Sequence, residues 1–515
     1  MPTPLTTPEQ AAQWLRTWVT GVLGSDSRTL GTGDGFVAMP GALVDGRTFV
    51  KRALENGVTA CLVEAQGVAA FDLDDARVAA YTGLKADAGR IADAFFGCPS
   101  QALSVLAVTG TNGKTSTAWW LAQALNALPA SALRPCAVIG TLGVGQPLAS
   151  GALPPGTSDP LAGLQSTGMT TPDAVALQAA LHQFAQQGLR ACALEASSIG
   201  IEEGRLNGLL VRVAVLTNFT QDHLDYHGSM DAYWAAKRRL FFWPGLHSAV
   251  INIDDTKGAA LRASLADEAP GLDLWTTSAL QAARLQAQNI TQSAAGLRFN
   301  VVESGQSIPL QTQVIGGYNV NNLLGVLATL RALGVELPAA VAACEGLRPV
   351  PGRLECLGGV KAPLVVVDYA HTPDALAQTL DALRPVANQR AGQLWCVFGC
   401  GGDRDADKRP LMGAIAADRA DQIVITSDNP RNEKPTAIVS HILAGLAGHP
   451  QPEVQVDRSA AIASAIHRAT AADVILLAGK GHETTQEISG VKTPFSDREH
   501  ALQALAARAP MEEHA

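Results

Sequence analysis

The chain has 515 residues and a formal net charge of −9 at pH 7, with 49 glycines and only 5% aromatic residues. This length exceeds what one hydrophobic core holds, and at about 150 residues per domain it predicts about three domains. The acidic balance excludes the basic surface that nucleic acid or an anionic membrane would require. Residues 1–21 have no secretory leader and no apolar stretch reaches about 20 residues; we expect a soluble, cytoplasmic protein and a monomer.

Short apolar runs alternate with helical patterns along most of the chain, and glycines lie between them. This alternation predicts α/β domains whose sheets are largely parallel. The eight cysteines are scattered, without the paired spacing typical of zinc sites. Cys396 and Cys400 lie in an apolar strand pattern, which predicts packed thiols rather than metal ligands.

Residues 1 to about 100 are predicted to form a first α/β unit. The patterns indicate helices over residues 10–23 and 49–55 and strands over residues 35–41 and 59–63. The stretch Ser25-Asp-Ser-Arg28 is a turn rich in hydrogen-bonding side chains. The unit has no residue pattern typical of a catalytic base or a metal cluster, so substrate binding and scaffolding are equally open as its role.

The central unit begins with Ser104-Val-Leu-Ala-Val-Thr-Gly-Thr-Asn-Gly-Lys-Thr-Ser116. An apolar, buried strand over residues 105–108 and a helix over residues 116–128 predict a strand-to-helix turn between them. Gly110 and Gly113 allow the backbone to surround an anion at the helix N-terminus, where unpaired N–H groups point outward.

Lys114 is placed to reach terminal phosphate oxygens, and the hydroxyl of Thr115 or Ser116 is suited to Mg²⁺. One position departs from the strict G-x-x-x-x-G-K-T spacing, because Val108 stands where that motif has glycine. An ordinary tight turn is the alternative interpretation, but Lys-Thr at this place favours a nucleotide phosphate site.

Two further predicted strands, over residues 190–194 and 211–216, end in polar clusters. The clusters contain Glu195 and His223. Because ligand-binding groups gather at the carboxyl ends of parallel strands, these two side chains are candidate Mg²⁺ ligands beside the phosphate loop. For His223 alone, a capping or core histidine would be the simpler interpretation.

Three other features of the central unit are less specific. The Gly/Pro/Ser-rich run over residues 143–168 predicts a flexible surface loop, followed by a helix over residues 174–187. Lys237 lies on a predicted helix over residues 233–240 and, by itself, is most simply a solvated lysine. The amides of Gly316-Gly-Tyr-Asn-Val-Asn-Asn322, before a predicted helix over residues 323–333, are suited to a base or ribose.

The last unit, residues 350–515, again alternates strands with helices. Strands are predicted over residues 364–368, 394–399, 422–426 and 474–478. Polar clusters follow all four strands, namely Asp368-Tyr-Ala-His-Thr-Pro-Asp374, Gly401-Gly-Asp-Arg-Asp405, Ser427-Asp-Asn-Pro-Arg431 and Gly479-Lys-Gly-His-Glu483. Four polar clusters at one edge of a parallel sheet predict a ligand-binding site there.

Taken in order, the motifs of the chain resemble those of the Mur ligases, ATP-dependent amide-forming enzymes of peptidoglycan precursor synthesis with the folylpolyglutamate synthases as distant relatives. The matching stretches are GDGFVAMPG, TGTNGKTS, LEASS, TNFTQDHLDYHG, AAK, GGYNVNN, PGRLE, VVDYAHTPDAL, FGCGGDRDADKRPLMG, SDNPR and AGKGHE. The resemblance implies an α/β protein of three domains: an N-terminal UDP-binding module (1–100), a central P-loop-type ATPase with a parallel sheet (101–349), and a C-terminal Rossmann-like domain that binds an amino acid (350–515).

The resemblance also implies roles for individual residues. It implies catalytic roles for Lys114, Glu195, His223 and Lys237. It implies Mg²⁺ ligation by Thr115, Glu195, His223 and Lys237, the last as a carbamate, so that Lys237 is no longer expected to be merely solvated. It implies ATP binding by Gly110, Thr111, Asn112, Gly113, Lys114, Thr115, Ser116, Asn319, Arg353, Asp368 and His371.

The implied substrate contacts fall into three groups. The UDP part is assigned to Ser25, Ser27, Ala42, Leu43 and Val44. The muramoyl-dipeptide is assigned to Thr170, Thr171, Ser197, Glu203 and Arg205. The incoming amino acid is assigned to Arg404, Asp428, Asn429, Pro430, Arg431, Gly479 and Glu483. Three positions depart from the family pattern, namely Ser25, Ile199 and Glu203, and none of them removes a phosphate or metal group.

The Asp-Asn-Pro-Arg stretch at residues 428–431 indicates the amino acid. Family members that add meso-diaminopimelate have this arginine, whereas those that add lysine usually replace it. Diaminopimelate has a second amino-acid head, whose carboxylate suits the planar guanidinium of Arg431. A site built for that carboxylate should reject lysine, because Arg431 would lose its partner.

The resemblance therefore implies a ligase that uses ATP and Mg²⁺ to activate a carboxylate of UDP-N-acetylmuramoyl-L-alanyl-D-glutamate as an acyl phosphate. The amine of meso-diaminopimelate then displaces phosphate. A lysine-adding ligase and a folylpolyglutamate synthase are the alternatives of the same chemistry. The pair of Asp428 and Arg431 argues against the first, and the N-terminal module argues against the second. An inactive protein that binds UDP-sugar peptides is disfavoured, because the chain retains four residues together, Lys114, Glu195, His223 and Lys237.

Overall fold

The computed structural model describes residues 2–41, 44–129, 132–147, 161–293, 295–446, 448 and 452–508. The chain divides into two compact units. The first comprises Met1–Ala287, Val302–Ile308 and Asn321–Gly346, and the second comprises Gln288–Val301, Pro309–Val320 and Leu347–Ala515. The domain boundaries that the sequence suggests near residues 100 and 350 stay predictions.

The chain enters the first unit through a five-stranded parallel sheet. Its strands are β1 (Thr3–Leu5), β2 (Leu23–Gly24), β3 (Gly35–Ala38), β4 (Ala60–Glu64) and β5 (Val78–Tyr81), in the order β1-β5-β4-β3-β2. Its helices are α1 (Pro8–Trp18), α2 (Val50–Glu55) and α3 (Leu84–Phe95). Helix α1 begins earlier and ends earlier than predicted, because Thr7 caps its N-terminus and Val19 turns extended, leaving Leu23 to the sheet.

The larger sheet of the first unit is mainly parallel. Its strands are β6 (Ser104–Thr109), β7 (Cys136–Gly140), β8 (Gly143–Gly145), β9 (Leu164–Gln165), β10 (Ala191–Glu195), β11 (Val211–Leu216), β12 (Ser248–Asn252) and β13 (Asp273–Ser278), in the order β13-β12-β11-β6-β10-β7-β8-β9. Every residue of β6 is buried, as expected for a strand covered on both faces. Its neighbours β10 and β11 are parallel to it, so the ends of all three strands lie side by side.

The run over residues 143–168 is not a simple loop, and this expectation was wrong for its two ends. Strands β8 and β9 pair antiparallel there, with Val144 opposite Gln165. The middle of the run, residues 148–160, lies outside the described residues. Consequently the two ends extend the sheet beyond β7.

The remaining helices of this part of the chain are α4 (Lys114–Ala127), α5 (Ala174–Gln186), α6 (Ser198–Glu202), α7 (Leu224–His227), α8 (Met230–Arg238), α9 (Thr256–Glu268), α10 (Asn319–Ala332) and α11 (Leu337–Glu345). Three more strands follow β13 in the chain, namely β14 (Leu285–Ser293), β15 (Gly296–Glu303) and β16 (Gln306–Gln311). The apolar core around β6 contains Val105, Leu194, Ala214 and Ile251. These buried residues fix the strand ends on which the candidate site lies.

The second unit contains a six-stranded sheet in the order β17-β18-β22-β19-β20-β21, parallel except between its first two strands. The strands are β17 (Glu355–Gly358), β18 (Leu364–Asp368), β19 (Leu394–Phe398), β20 (Gln422–Ile425), β21 (Glu453–Val454) and β22 (Val474–Ala478), followed by the hairpin β23 (Thr485–Ile488) and β24 (Val491–Pro494). The helices are α12 (Pro373–Gln389), α13 (Lys408–Arg419), α14 (Pro435–Leu443), α15 (Arg458–Arg468) and α16 (Asp497–Ala507).

The core of the second unit confirms the packed state expected for two cysteines. Cys396 and Cys400 are both buried among apolar side chains. An ion pair is buried as well: Arg458 and Asp497 lie 2.6 Å apart with both side chains fully covered. In the part of the chain that the structure describes, no helix is long and apolar enough to pass through a bilayer.

Candidate functional site

The turn between β6 and α4, residues 110–113, has a backbone shape that depends on two glycines. Gly110 has a φ of 145° and Gly113 a φ of 83°, both in the region that side chains disfavour. A Cβ on Gly110 would lie 1.9 Å from the Thr217 hydroxyl oxygen, and one on Gly113 would lie 2.4 Å from the Asn322 side-chain oxygen. Glycine is therefore required at both positions.

The segment after β11 holds this turn in place. The Asn112 N–H donates to the Asn218 side-chain oxygen at 2.8 Å, and the Thr217 hydroxyl donates to the Asn112 carbonyl at 2.6 Å. The Thr111 hydroxyl donates to the Thr220 carbonyl at 3.0 Å. The expected approach of the two strand ends is thus present, although Asn218 and Thr220 were not among the individual site residues proposed from the sequence.

Two lysines share one carbonyl of the turn. Lys114 and Lys237 both donate to the Gly110 carbonyl, at 3.0 and 2.7 Å, and Lys114 also donates to the Thr111 carbonyl at 2.8 Å. Lys237 is 1% exposed and its ammonium lies 4.5 Å from the centre of the Tyr233 ring. The interpretation of Lys237 as a solvated lysine is therefore wrong.

Burial lowers the pKa of Lys237 well below its usual value, and the positive charge of Lys114 acts in the same direction. The buried site therefore favours the neutral amine of Lys237. Tyr233 also donates its hydroxyl to the Thr111 hydroxyl at 3.2 Å, so the residue packs against Lys237 and holds the turn at the same time. Tyr233 could not be selected from the sequence, because an aromatic residue on an amphipathic helix predicts core packing only.

Glu195 is buried beside the turn, with 1% exposure. Its carboxylate accepts from the Thr115 hydroxyl at 2.9 Å and from the Thr141 N–H at 2.8 Å. Gly140 leaves room for it, because a Cβ there would come within 2.1 Å of a Glu195 oxygen. Thr141 was not predicted, although it directly follows β7 and the rule that identified Glu195 would have identified it as well.

His223 has a φ of 51° and lies with its ring 5.9 Å from that of Tyr233. Burial lowers its pKa, while Asp222, 3.4 Å away, acts in the opposite direction. The imidazole is therefore mainly neutral at neutral pH. In the described ranges, no group of three or more His, Cys, Asp or Glu side chains is placed to hold a metal ion. Beside the turn, the Thr115 hydroxyl and the Glu195 carboxylate offer oxygen ligands, a pairing that suits a hard cation.

A cavity of about 690 Å³ in the first unit contains several of the predicted substrate residues. It is lined by Ser25, Ser27, Val44, Glu203 and Arg205, together with the departing position Ile199. The predicted contacts Ala42 and Leu43 lie outside the described residues.

Glu203 is fixed inside this cavity by two side chains that were not among the predicted site residues. It pairs with Lys85 at 2.5 Å and accepts from the Tyr226 hydroxyl at 2.7 Å. Both contacts lower the pKa of the Glu203 carboxyl. The glutamate that departs from the family pattern is thus paired within the protein and stays ionised.

A run of hydroxyl groups connects this cavity with Glu195. Arg205 donates to the Thr171 carbonyl at 2.8 Å, and the hydroxyls of Thr171 and Ser197 lie 3.0 Å apart. The Thr171 hydroxyl donates to the Glu195 carbonyl at 2.7 Å, and Thr170 lies 3.0 Å from the Thr141 hydroxyl. The structure therefore brings the predicted dipeptide-binding residues together beside the phosphate loop.

In the second unit, Arg431 follows β20 in a fixed backbone conformation. Its φ is 51°, its N–H donates to the Glu487 carbonyl at 3.0 Å, and its carbonyl accepts from the Ser489 N–H at 2.6 Å. The Nη1 group donates to the Gly402 carbonyl at 2.6 Å. Among the described residues the Nε and Nη2 groups have no hydrogen-bond partner, so one edge of the guanidinium is available to a carboxylate.

The neighbours of Arg431 belong to the same predicted set. Arg404 and Arg431 flank Gly401, where a Cβ would lie 3.8 and 3.0 Å from their side chains. Pro430 is buried and Asp428 is largely covered, so that burial raises the pKa of the Asp428 carboxyl. Gly479 is required here, because its φ is 115° and a Cβ would lie 2.4 Å from an Asp428 oxygen.

Lys480 connects two of these residues and was missed, although its stretch was recognised. Its fully buried ammonium donates to the Asn429 side-chain oxygen at 3.1 Å and to Glu483 at 2.8 Å. Asn429 also donates to Glu483 at 2.7 Å. The sequence signal was a lysine between two glycines, and only the tertiary structure shows that it is buried.

The four nucleotide contacts proposed outside the phosphate loop lie either beside the Tyr369 ring or in hydrogen bonds to the backbone. Asp368 is buried and accepts from the backbone N–H groups of Leu354 and Ala370 at 2.8 and 2.9 Å. The Arg353 guanidinium lies 4.7 Å over the Tyr369 ring.

The other two are bound to nearby carbonyls. His371 Nδ1 lies 2.8 Å from the Tyr369 carbonyl oxygen, and the Asn319 amide donates to the Ile315 carbonyl at 2.8 Å. Arg353 and His371 therefore converge on Tyr369, whereas Asp368 and Asn319 are satisfied by the backbone.

Together the phosphate-loop geometry and the sheet order define the class of protein: the chain belongs to the Mur ligase family. Three segments match family descriptions: residues 20–86 match the Mur ligase family catalytic domain, residues 108–330 the Mur ligase middle domain, and residues 352–481 the Mur ligase glutamate ligase domain. The three-domain α/β architecture with largely parallel sheets is thereby confirmed.

Within the family, the relatives share one description. The chain is 57% identical to the UDP-N-acetylmuramoyl-L-alanyl-D-glutamate--2,6-diaminopimelate ligase of Acidovorax sp. (strain JS42), over 98% of both chains. It is 48% identical to the ligase of the same name from Janthinobacterium sp. (strain Marseille), over 94% of both chains. A solved structure of a ligase of this name is 37% identical, covers 94% of each chain and has a TM-score of 0.64.

Proposed function

We propose that this protein is an ATP-dependent ligase that joins meso-diaminopimelate to UDP-N-acetylmuramoyl-L-alanyl-D-glutamate, and that it acts as a cytoplasmic monomer. The single observation that carries the proposal is the group of side chains at the phosphate-type turn: Lys114 and Lys237 donate to the Gly110 carbonyl, and the buried Glu195 accepts from the Thr115 hydroxyl. The name shared by relatives with 57% and 48% identity supports the choice of substrates.

ATP is assigned to the turn at residues 110–116. The helix N-terminus of α4 presents N–H groups to an anion, and Lys114 lies at its first position. In the described conformation Lys114 is bonded to two carbonyls of the turn, so it would exchange these weak neutral partners for phosphate oxygens when ATP binds. Arg353 and His371 are also assigned to the nucleotide, as the family resemblance implies.

The donor set of Thr115, Glu195 and His223 fits Mg²⁺, because a hydroxyl and a carboxylate lie 2.9 Å apart at the turn and the imidazole is mainly neutral. Mg²⁺, when bound, would neutralise charge on the phosphoryl oxygens during transfer. Lys237 would contribute as a carbamate. Its amine is buried and its pKa is low, and a neutral amine is the form that adds to CO₂, losing one proton as the N–C bond forms.

The acyl substrate is assigned to the 690 Å³ cavity and the hydroxyl run beside it. Arg205, Thr171 and Ser197 lie between that cavity and Glu195, where they would place the peptide carboxylate near the transferring phosphate. The carboxylate oxygen would attack the γ-phosphorus and ADP would leave. The resulting acyl phosphate must be protected from water until the amine arrives.

The amine substrate is assigned to the residues around Arg431. The available guanidinium edge would bind the far carboxylate of diaminopimelate through two parallel bonds, while carboxyl oxygens of Asp428 and Glu483 would accept from its ammonium groups. The near amine, once deprotonated, would attack the acyl carbon and phosphate would leave. Lysine lacks the far carboxylate, so it would leave Arg431 without a partner.

The test is release of inorganic phosphate from ATP by the purified full-length protein. Release should require both UDP-N-acetylmuramoyl-L-alanyl-D-glutamate and meso-diaminopimelate, and lysine should support less than roughly one hundredth of the rate. Lys114→Ala should lower the rate by about 10²- to 10³-fold or more. The exposed Lys51→Ala is the matched control and should leave it unchanged. Equal rates with lysine would refute the specificity, and full activity of Lys114→Ala would refute the site.

A further inference from the structure

A second cavity of the first unit, of about 1100 Å³, lies at the opposite ends of the strands that deliver the phosphate loop. It is lined by Ser104, the first residue of β6, whereas the phosphate loop follows the last residue of that strand. A six-residue strand is roughly 20 Å long, so about the length of a strand separates the two sites. The cavity therefore plays no part in the proposed ligation.

Positive charge collects in this cavity because of the sheet order. Arg134, Arg190, Arg212 and His247 lie at the amino ends of β7, β10, β11 and β12, and all four line it. Together with β6 these are five neighbouring strands, so chain segments far apart in sequence place three guanidinium groups and one imidazole along one edge. Among the described residues that line the cavity, none is acidic, although the whole chain has a net charge of −9.

The backbone fixes these residues relative to one another. The Ser104 N–H donates to the Arg190 carbonyl at 2.9 Å, and the His247 N–H donates to the Arg212 carbonyl at 3.2 Å. Within the described part of the chain, the Arg212 guanidinium donates only to the Ser104 hydroxyl, at 3.4 Å, and Arg134 donates to the Leu128 carbonyl. In the described ranges the side chains of Arg190 and His247 have no hydrogen-bond or ion-pair partner.

The rest of the wall is apolar. Leu103 and Leu128 are buried there, Leu333 and Val335 are half-buried, and Leu210 is 40% exposed. Ligand pockets typically combine such an apolar wall with a few converging polar groups. Three guanidinium groups match the several oxygens and the double charge of a phosphate ester better than the single charge of a carboxylate.

From this geometry we propose a second ligand site, which binds a small organic phosphate. The phosphate lies against Arg190 and Arg212, and the apolar body of the ligand lies against Leu103 and Leu128. The site is separate from the phosphate loop, so it is occupied independently of the substrates.

The test is calorimetric titration of the full-length protein with hexyl phosphate as the probe. It should bind at one site per chain, while hexanoate should bind at least about tenfold more weakly and hexanol not measurably. Arg190→Gln and Arg212→Gln should each lower the affinity for hexyl phosphate about tenfold. Arg262→Gln, an equal change of charge on the exposed face of α9, should leave the affinity unchanged, and so should Lys114→Ala.

Each of the other results would overturn the proposal. Failure of the wild-type protein to bind hexyl phosphate would show that the site does not exist. Equal affinity for hexanoate or hexanol would show that the site does not select phosphates. Loss of binding in Lys114→Ala, with full binding in Arg190→Gln, would place the probe at the phosphate loop instead. Thermal unfolding of every variant identifies any that lose binding by unfolding.

Discussion

Replacement of Arg431 by alanine should weaken the binding of diaminopimelate far more than the binding of ATP. The structure leaves the Nε and Nη2 edge of this guanidinium available, while Nη1 is held by the Gly402 carbonyl at 2.6 Å. Hydrogen bonds to a charged group contribute about 1.5–3 kcal/mol, which corresponds to about 10- to 150-fold in KM. The side chain is half-buried and anchored, so we expect a value in the upper half of this range.

The assay is phosphate release at saturating ATP and UDP-substrate with diaminopimelate varied, followed by the converse titration of ATP. The KM for ATP should change less than about threefold, because no contact to nucleotide is removed. Lys434→Ala, an exposed cation three residues away, is the matched control. Equal increases in both KM values would refute the reasoning and make Arg431 a structural residue. Discrimination against lysine should fall in the same variant.

Three further perturbations test other parts of the structure. Asp497→Ala should lower the free energy of unfolding by about 3–5 kcal/mol, because it leaves the fully buried Arg458 without its counter-ion. The Arg409 guanidinium lowers the pKa of Glu433 to about 2 from its usual 4.5. The pair therefore stabilises the folded protein fully above pH 4.5, and this contribution is lost as the pH falls toward 2. In Glu433→Gln the free energy of unfolding should depend less on pH over this range. Gly113→Ala should lower the melting temperature and abolish phosphate release, because φ is 83° and the new Cβ would meet a side-chain oxygen at 2.4 Å.

Each of these has a matched comparison. Asp381→Ala breaks an exposed pair with Arg419 and should cost less than about 1 kcal/mol; a similar loss in both variants would contradict the burial argument. Gly97 also has a positive φ, of 76°, but open space around it, so Gly97→Ala measures backbone strain alone. If the acid slope of Glu433→Gln matches that of the wild type, the cause of the slope lies elsewhere.

The strands of the site could be predicted closely from the sequence. Strands β6, β10 and β11 lie within a residue of their expected bounds, because strands buried on both faces have continuous apolar sequences. Once those strands were placed, the position of Glu195 followed from the rule that ligand groups lie at the carboxyl ends of parallel strands. Local pattern and tertiary structure agree here.

Elements whose environment is set by distant residues could not be predicted. Helix α10 begins at Asn319 rather than Leu323, because its first turn is polar and has no apolar periodicity. Lys237 and Lys480 have the composition of surface residues, yet both are buried by chain segments far away in sequence. A single sequence gives the residue type but not the neighbours that cover it.

The burial of Lys480 has a consequence for how specificity can diverge. Its ammonium has no access to water and is bonded to Asn429, Glu483 and the Thr485 carbonyl. Substitution of Glu483 would therefore leave an uncompensated charge in the interior, and substitution of Asn429 would remove one of the hydrogen bonds of that charge. Those positions are therefore poor places to evolve a preference for another amino acid. Arg431 does not contact Lys480 and can be substituted without this penalty. A change of specificity to a different amine is therefore expected at the arginine and not at the buried positions.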